Sequence, residues 1–205
     1  MVFGTLDMRK WRRIQGQLQR DLWEGRYRHS VATAEMAVRL APRFRVEVWR
    51  ARLAGLLHDC AKDLSPARML RVARLRLAGP AGPAATRPSA LERRYPSALH
   101  GDAGAKLAIR RYGVRDRRVL AAVRDHVLGR QRMPALSRLI YAADMLEEGR
   151  GYRGAGELRR RASVLSAGEI FRRAVAAKAC YMRERGLPLH PRTAGMLEEL
   201  ESKKR

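Results

Sequence analysis

The sequence predicts an all-α protein with a single domain. Aromatic residues make up only 6% of the chain, so the core must come from Leu, Ala, Val and Ile, and the first two are strong helix formers. Apolar residues recur at helical spacing, and no stretch alternates with the period of two that is typical of strands. With 205 residues, no internal repeat and no Gly/Ser-rich linker, the chain fits one domain that can bury its own core.

Three helices are predicted in the first quarter of the chain. Helical spacing of apolar residues predicts the first over Leu6–Trp23, ended by Gly25. The second carries Arg28–Leu40, and Pro42 is expected to end it. The third, Val46–His58, becomes apolar on every side near its end, which predicts a central buried helix.

Capping residues and helix breakers divide the middle of the chain. Ser65–Leu77 opens with a capping serine followed by proline, which predicts a helix start. Repeated Gly and Pro across Gly79–Pro96 predict a loop. Helices follow over Ala98–Tyr112 and Arg115–Leu128, and another opens at Pro134–Ala135 and runs through Leu146.

A long helix, Ser166–Arg185, and a short one beginning at Pro191 complete the predicted bundle. The domain organisation that we expect has three parts. Residues 1–25 form an N-terminal helix that packs on the core, residues 26–197 form the main domain, and residues 198–205 form a C-terminal tail.

The net charge of +24 favours phosphate-bearing ligands. Of the 44 basic residues, 38 are Arg, and they are spread along the whole chain. A concentrated basic tail is missing from the sequence, so nucleic-acid binding stays open without being favoured. A small anionic phosphate substrate is compatible with the same charge, and the preference for Arg over Lys can also reflect genomic base composition.

No apolar run approaches the roughly 20 residues that span a bilayer, so we expect no membrane contact. The segment Met1–Arg20 is charged throughout and lacks the apolar region of a signal peptide. The two cysteines, Cys60 and Cys180, have no motif spacing and are expected to be reduced thiols. Together these features predict a cytoplasmic protein.

The candidate functional residues centre on His58 and Asp59, which end the predicted buried helix. Burial of ionisable groups is costly unless something compensates, and a metal ion is one such partner. From this stretch alone, a helix that merely ends in polar residues explains the pair equally well.

Further imidazole and carboxylate groups lie on other predicted helices, and each taken singly is more simply a structural residue. Taken together, six such groups on five helices can converge on one inward site of a bundle. Mixed imidazole and carboxylate ligands suit Fe, Mn, Zn or Co better than Ca or Mg. The six residues are His29, His58, Asp59, His100, His126 and Asp144.

Six short motifs carry a family resemblance over about residues 26–197. They are Arg28-His29-Ser30 with Ala34; Ala54-Gly55-Leu56-Leu57-His58-Asp59-Cys60-Ala61-Lys62; Leu99-His100-Gly101 with Gly104-Ala105; His126 with Gly129; Tyr141-Ala142-Ala143-Asp144 with Glu147 and Arg150; and Gly186 with Leu189-His190-Pro191-Arg192-Thr193. The order H…HD…H…H…D on helices resembles the HD-domain metal-dependent phosphohydrolases. The flanking residues resemble, more narrowly, the YqeK family of bacterial hydrolases that cleave diadenosine tetraphosphate symmetrically.

The resemblance implies a site with two divalent metal ions, with iron expected and manganese or cobalt as alternatives. It implies attack of a metal-bound hydroxide on phosphorus, which yields two ADP. It also implies phosphate contacts from Lys62 and Arg150, so that the expected catalytic residues are Asp59, Lys62 and Arg150. The implied ligands of one ion are His29, His58, Asp59 and Asp144, with Asp59 bridging to a second ion that His100 and His126 complete.

Two departures from the family pattern concern Val127, where Thr is usual, and Glu148, where Pro is usual. The segment Gly79–Pro96 is also longer than expected, so the entrance to the site is expected to differ. His190 directly precedes a helix that begins with proline, and Cys60 is expected to face the core; both are interpreted as structural.

Two other functions stay open. One is a different HD-type reaction, by a nucleotidase or phosphodiesterase acting on another nucleotide. The other is a basic nucleic-acid-binding module in which the metal site is structural or vestigial. A homodimer is also compatible with the sequence.

Overall fold

The chain folds into helices over the residues that the computed structural model describes, which are 7–75, 87–152 and 154–202. These ranges contain eleven α-helices, one short 3₁₀ helix and no β-strand, which confirms the predicted all-α class. Within them, no helix has both the length and the apolar character needed to cross a lipid bilayer. The helices are α1 (Met8–Asp21), α2 (Glu24–Phe44), α3 (Val48–Leu57), α4 (Pro66–Ala73), α5 (Ala90–Arg94), the 3₁₀ helix (Pro96–Leu99), α6 (His100–Arg110), α7 (Arg117–Asp125), α8 (Ala135–Leu146), α9 (Ala155–Arg161), α10 (Ala167–Glu184) and α11 (Pro191–Ser202).

Helix α3 lies at the centre of the bundle and packs against α2, α7 and α8. All five residues of its last part, 53–57, are buried, which confirms the predicted buried helix. Its approach to α2 depends on Gly55, because a Cβ atom there would lie 2.7 Å from the Cα of Ala34. A glycine therefore sets the distance between the two helices.

A second glycine contact joins α6 to α7. A Cβ atom on Gly101 would lie 2.5 Å from the carbonyl oxygen of Arg124, closer than two such atoms can approach. Gly55 and Gly101 are each close in sequence to a predicted metal ligand. Close helix packing therefore brings the ends of α3, α6 and α7 towards one another.

Helix α1 covers one side of the bundle. Ile14 and Leu18 are buried in the main core. At the end of α1, the carboxylate of Asp21 accepts hydrogen bonds from Tyr112 (2.7 Å) and from Arg111. Burial opposes ionisation of Asp21, but these hydrogen bonds outweigh it and lower the pKa of that carboxyl group.

The break between α1 and α2 comes earlier than predicted. Helix α1 ends at Asp21, and Gly25 lies inside the first turn of α2. The indole ring of Trp23 folds against this turn, so that a Cβ atom on Gly25 would lie 2.0 Å from it. The glycine thus makes room for the ring and does not end the helix.

Pro42 also fails to end its helix where predicted. Helix α2 continues through Pro42 to Phe44, and Arg45 caps it in the left-handed conformation at φ 53°. Ala41 and Phe44 are buried, so packing of the last turn outweighs the backbone hydrogen bond that proline cannot donate.

The loop predicted over Gly79–Pro96 is partly wrong. Residues 79–86 lie outside the described residues, but Ala90–Arg94 form α5, which opens with a capping box between Ser89 and Glu92.

Helix α9 was not predicted either, because glycines surround its start and Gly154 at its N-cap has φ 88°. Helix α11 extends to Ser202, so residues 198–202 are helical, and 203–205 lie outside the described residues.

We predict that Leu18→Ala lowers the free energy of unfolding by about 2–5 kcal/mol, because Leu18 is 0% exposed and its loss leaves a cavity. Denaturant unfolding followed by circular dichroism measures the change. The control is Met8→Ala on the same helix, where the side chain is 58% exposed and a change below about 0.5 kcal/mol is expected. Equal stability of the two variants would contradict the packing of α1 on the core.

Candidate metal centre

The structure brings all six predicted ligand residues to one place in the bundle. His29 lies on α2 and Asp144 on α8, whereas the other four lie at helix ends. His58 and Asp59 follow α3, His100 follows the 3₁₀ helix, and His126 follows α7. All are buried except His29, which is partly buried.

The imidazole rings form two pairs. The Nε2 atoms of His29 and His58 are 3.0 Å apart, and those of His100 and His126 are 3.1 Å apart. Two nitrogens that bind one ion at about 2.0–2.1 Å and at right angles lie about 3 Å from each other. Each pair therefore has the spacing of two ligands of one ion.

Asp59 lies between the two pairs and presents one oxygen to each. Its Oδ2 is 3.8 Å from Nε2 of both His29 and His58. Its Oδ1 is 3.1 Å from Nε2 of His100 and 3.4 Å from Nε2 of His126. A carboxylate has two oxygens and can be shared in this way, which an imidazole with one free lone pair cannot.

Asp144 belongs to the first pair. Its Oδ1 is 3.3 Å from Nε2 of His29 and 3.8 Å from Nε2 of His58. The geometry therefore divides the six residues into two groups joined by Asp59, which is the grouping expected from the sequence. Within the described residues, His29, His58 and Asp59 could hold one ion, and Asp59, His100 and His126 could hold another.

A hydrogen bond on the far nitrogen orients each ring. Every Nδ1 faces an oxygen acceptor, so in each neutral ring Nδ1 carries the proton and the Nε2 lone pair faces the cluster. Three of these acceptors are backbone carbonyls three residues earlier in the chain, within the helix that precedes the ring. The acceptors are Gly55 O for His58 (2.7 Å), Ser97 O for His100 (2.5 Å), Val123 O for His126 (2.7 Å) and Glu147 Oε1 for His29 (3.2 Å).

The protonation states fit divalent cations. Burial lowers the pKa of His58 to about 3 and that of His100 to about 4, so both rings are neutral at pH 7. Burial opposes ionisation of Asp59, but the imidazoles of His58 and His100 hold its pKa well below the usual range. Neutral imidazole and ionised carboxylate are the forms that bind metal.

His29 differs from the other rings. Burial disfavours its charged form, but hydrogen bonds to Asp144 and Glu147 outweigh burial and raise its pKa to about 9. At neutral pH, a metal ion must therefore displace a proton from His29. Four inward Nε2 atoms and two carboxylates in one buried volume nevertheless favour a cation there once that proton has left.

The two predicted phosphate contacts lie at the edge of the cluster. Lys62 Nζ is 3.2 Å from Nδ1 of His100, and Arg150 donates to Asp144 Oδ1 at 2.5 Å and to its carbonyl oxygen at 2.9 Å. Both side chains line an open cleft of about 470 Å³ above the ligands. They are therefore within reach of a substrate that lies on the cluster.

Two further cations line this cleft and were missed by the sequence analysis. Arg26 donates to Asp59 Oδ2 at 3.0 Å, and Lys178 donates to the carbonyl oxygen of His126 at 2.9 Å. Arg26 precedes His29 by three residues on α2, so both side chains lie on one face of the helix. This spacing could have indicated from the sequence that Arg26 lies near the cluster. Lys178 lies on α10 without a neighbouring motif, and only the tertiary fold brings it to the cleft.

The remaining residues singled out earlier have other roles. His190 lies outside the cluster, where its Nδ1 accepts from the backbone N–H of Arg192 (3.1 Å) at the start of α11. Cys60 is buried in the main core, with its thiol against Gly104 O (3.5 Å), as expected. Val127 lines the cleft, and Glu148 is exposed.

Comparison with protein families finds that the model of the HD domain matches residues 26–149. The chain belongs to the HD domain family. This confirms the family expected from the motifs, and all six ligand candidates lie within the matched residues.

Relatives of this HD domain protein cover between 66% and 98% of its length. It is 29% identical over 177 residues to the symmetrical bis(5'-nucleosyl)-tetraphosphatase of Bacillus subtilis (strain 168), covering 86% of this chain and 89% of that protein. It is 33% identical over 136 residues to the protein of the same name from Staphylococcus aureus (strain NCTC 8325 / PS 47), covering 66% of each. The crystal structure of a predicted HD superfamily hydrolase involved in NAD metabolism from Clostridium acetobutylicum matches with a TM-score of 0.82 and 30% identity, over 98% of this chain and 100% of that one.

We predict that Glu147→Ala weakens the binding of Mn²⁺ by about 10- to 100-fold, because Glu147 orients His29 through its Nδ1. Titration calorimetry measures the affinity. The matched control is Glu148→Ala, which removes the adjacent, exposed carboxylate and is expected to leave the affinity unchanged. If both variants bind Mn²⁺ as the unmodified protein does, Glu147 does not support a metal ligand.

Proposed function

We propose that this protein hydrolyses diadenosine tetraphosphate symmetrically to two ADP. The proposal rests on the two pairs of imidazole rings that Asp59 joins. They lie on the floor of a cleft lined by cationic side chains. The two relatives named symmetrical bis(5'-nucleosyl)-tetraphosphatase support the substrate and the position of cleavage.

The residues present fit two divalent ions, with iron as the first candidate and manganese or cobalt as alternatives. When bound, such ions supply positive charge beside phosphate oxygens and lower the pKa of water, which provides a nucleophile near neutral pH. One ion would be held by His29, His58, Asp59 and Asp144, and the other by Asp59, His100 and His126.

The cationic side chains of the cleft bind and orient the tetraphosphate. Arg150 can form two parallel hydrogen bonds to one phosphate, and Lys62 offers a point charge on the opposite side, beside His100. Arg26 and Lys178 add charge in the same cleft. The cleft is partly shielded from water, so these fixed charges stabilise phosphate oxygens more strongly than they would in bulk solvent.

The nucleophile that we propose is water. The described residues that line the cleft include no Ser, Thr or Cys. The nearby thiol of Cys60 faces Gly104 O, and burial raises its pKa. One water adds to one of the two central phosphorus atoms, and the bond from that phosphorus to the oxygen between the two central phosphates breaks. That oxygen leaves on one ADP, the oxygen of water stays on the other, and the protons of the water pass to solvent.

Incubation of the metal-loaded protein with diadenosine tetraphosphate tests this function. We expect ADP as the sole product, and ¹⁸O from labelled water in one of the two ADP molecules. Asp59→Ala is expected to reduce turnover to background, since it removes the shared carboxylate. The appearance of AMP with ATP, or no turnover with iron, manganese or cobalt, would contradict the proposal.

A panel of nucleotides run beside this substrate separates the proposed reaction from that of another HD-type nucleotidase or phosphodiesterase. A higher kcat/KM for a mononucleotide or a cyclic nucleotide would favour that alternative. The metal cluster would serve either reaction, so this comparison identifies the preferred substrate. It does not test whether the metal centre exists.

A second candidate function, nucleic-acid binding, is favoured by one surface. A concavity of about 620 Å³ between α2 and α9 is lined by Arg39, Arg43, Arg159 and Arg160. Arg39 and Arg159 form ion pairs with Glu148 in the same concavity, whereas Arg43 and Arg160 are suited to a phosphate backbone. RNA binding that weakens with salt and survives Asp59→Ala, without hydrolysis of any nucleotide, would favour this function over the enzymatic one.

A further inference from the structure

The segment between α8 and α9 carries two side chains of the metal cleft and its ligands. Glu147, the first residue after α8, orients His29 through its Oε1 (3.2 Å). Three residues later, Arg150 donates to the carboxylate of Asp144 and lines the cleft. The place of the Arg150 guanidinium therefore depends on the backbone of residues 148–150.

This short segment needs contacts from another element to keep one conformation. It lies between helices, and a turn from the N–H of Arg150 to the carbonyl oxygen of Glu147 (3.0 Å) closes it. Glycines stand on both sides of Arg150, and glycine loses more conformational freedom on ordering than any other residue. A fixed position of Arg150 therefore has to be stabilised from outside the segment.

Arg159 on α9 supplies such contacts. Its Nη2 donates to the carbonyl oxygen of Arg150 (2.5 Å), and its Nη1 donates to the carbonyl oxygen of Glu148 (3.2 Å). The Nε of the same group donates to Ala155 O (3.4 Å) at the start of α9. A guanidinium is planar and holds its donors in a rigid fork, so it fixes both carbonyls relative to α9.

Arg159 is itself held in place and lies away from the cleft. Its side chain is 17% exposed, and the preceding residue, Leu158, is buried in the main core. Arg159 lines the concavity between α2 and α9 and is not one of the described residues that line the metal cleft. It can therefore affect a phosphate in the cleft through Arg150 and not by contact.

The carboxylate of Glu148 adds a weaker link to the same group. Its Oε2 accepts from Arg159 (3.2 Å), and its Oε1 accepts from Arg39 on α2 (2.6 Å). The side chains of Glu148 and Arg39 are more than half exposed, and ion pairs between exposed groups contribute little. The bonds from Arg159 to the two backbone carbonyls are therefore the ones that hold the segment.

We propose that Arg159 is a positioning residue, which holds the backbone of residues 148–150 so that Arg150 faces a phosphate bound above the metal cluster. The proposal rests on the part of the proposed function in which Arg150 contacts phosphate. The N–H of Glu147 is bonded to Ala143 O (2.9 Å) at the end of α8, so Glu147 keeps its position without Arg159. Loss of Arg159 therefore weakens phosphate binding and leaves metal binding intact.

Calorimetric titration of the manganese-loaded protein with inorganic pyrophosphate tests this role, with the metal content measured before and after. We expect Arg150→Ala to weaken binding by about 10- to 100-fold, the range for a hydrogen bond to a charged group. Arg159→Ala is expected to cause most of the same loss. Unmodified affinity in either variant would overturn the proposal.

The double variant separates positioning from a general structural effect. Because Arg159 acts through Arg150, the addition of Arg159→Ala to Arg150→Ala is expected to cause no further loss of affinity. A residue that only stabilises the fold would weaken binding equally in both backgrounds. Additive losses would therefore overturn the proposal.

Two further variants separate position from charge. Arg161→Ala removes an arginine of the same helix that pairs with the exposed Glu157, and it is expected to bind pyrophosphate as the unmodified protein does. Arg159→Lys keeps the charge and the side-chain stem, but an ammonium is a point donor without the fork that reaches both carbonyls. It is expected to bind about as weakly as Arg159→Ala, and it takes the place of that variant if Arg159→Ala does not fold. Full affinity in Arg159→Lys, or an equal loss in Arg161→Ala, would assign the effect to charge and overturn the proposal.

Metal affinity is the remaining readout. Titration of the metal-free protein with Mn²⁺ is expected to give the same affinity for Arg159→Ala and for the unmodified protein. A loss of Mn²⁺ affinity that parallels the loss of pyrophosphate affinity would indicate damage to the whole centre and contradict the positioning role.

Failure of this role and failure of the proposed function are distinguishable. Pyrophosphate binding that follows the expected pattern, without hydrolysis of diadenosine tetraphosphate, would keep the role of Arg159 and contradict the function. Hydrolysis to two ADP that Arg159→Ala leaves unchanged in kcat and KM would keep the function and contradict the role.

Discussion

The arrangement of this protein depends on one buried electrostatic constraint. Four imidazole Nε2 atoms face a common volume, and the two oxygens of Asp59 lie between them, within 3.1–3.8 Å. Groups of this kind repel one another in a buried site unless protons or cations lie between them. Divalent cations meet that requirement with the ligand types at hand, which accounts for so many polar groups inside a small helical bundle.

The fold meets this constraint mainly at the ends of helices. His58, His100 and His126 each directly follow a helix and donate Nδ1–H to the carbonyl three residues earlier in that helix. His29 lies inside α2, where carbonyls are already bonded, and uses the carboxylate of Glu147 instead. The contacts at Gly55 and Gly101 keep the helices close enough for the four rings to meet. Ring orientation therefore follows from ordinary helix geometry.

The sequence predicts the all-α class and the six converging residues because those signals are local: helical spacing, glycines, and His or Asp within apolar runs. It does not predict α5 or α9, since their capping depends on short stretches rich in Gly and Pro that also occur in loops. Lys178 reaches the cleft only through the packing of α10 on α8, and no motif on its own helix marks it. The metal identity, the domain boundaries and the cytoplasmic location stay predictions, because they depend on properties other than the contacts within the chain.

We propose that one chain holds two ions that share Asp59. Quantification of metal in purified protein, after anaerobic reconstitution with iron and removal of unbound ions, tests this sharing. About two ions per chain are expected, as a two-metal site requires, with a magnetically coupled spectrum because one carboxylate would join them. A stoichiometry of about one, or two ions that show no coupling, would contradict a shared centre.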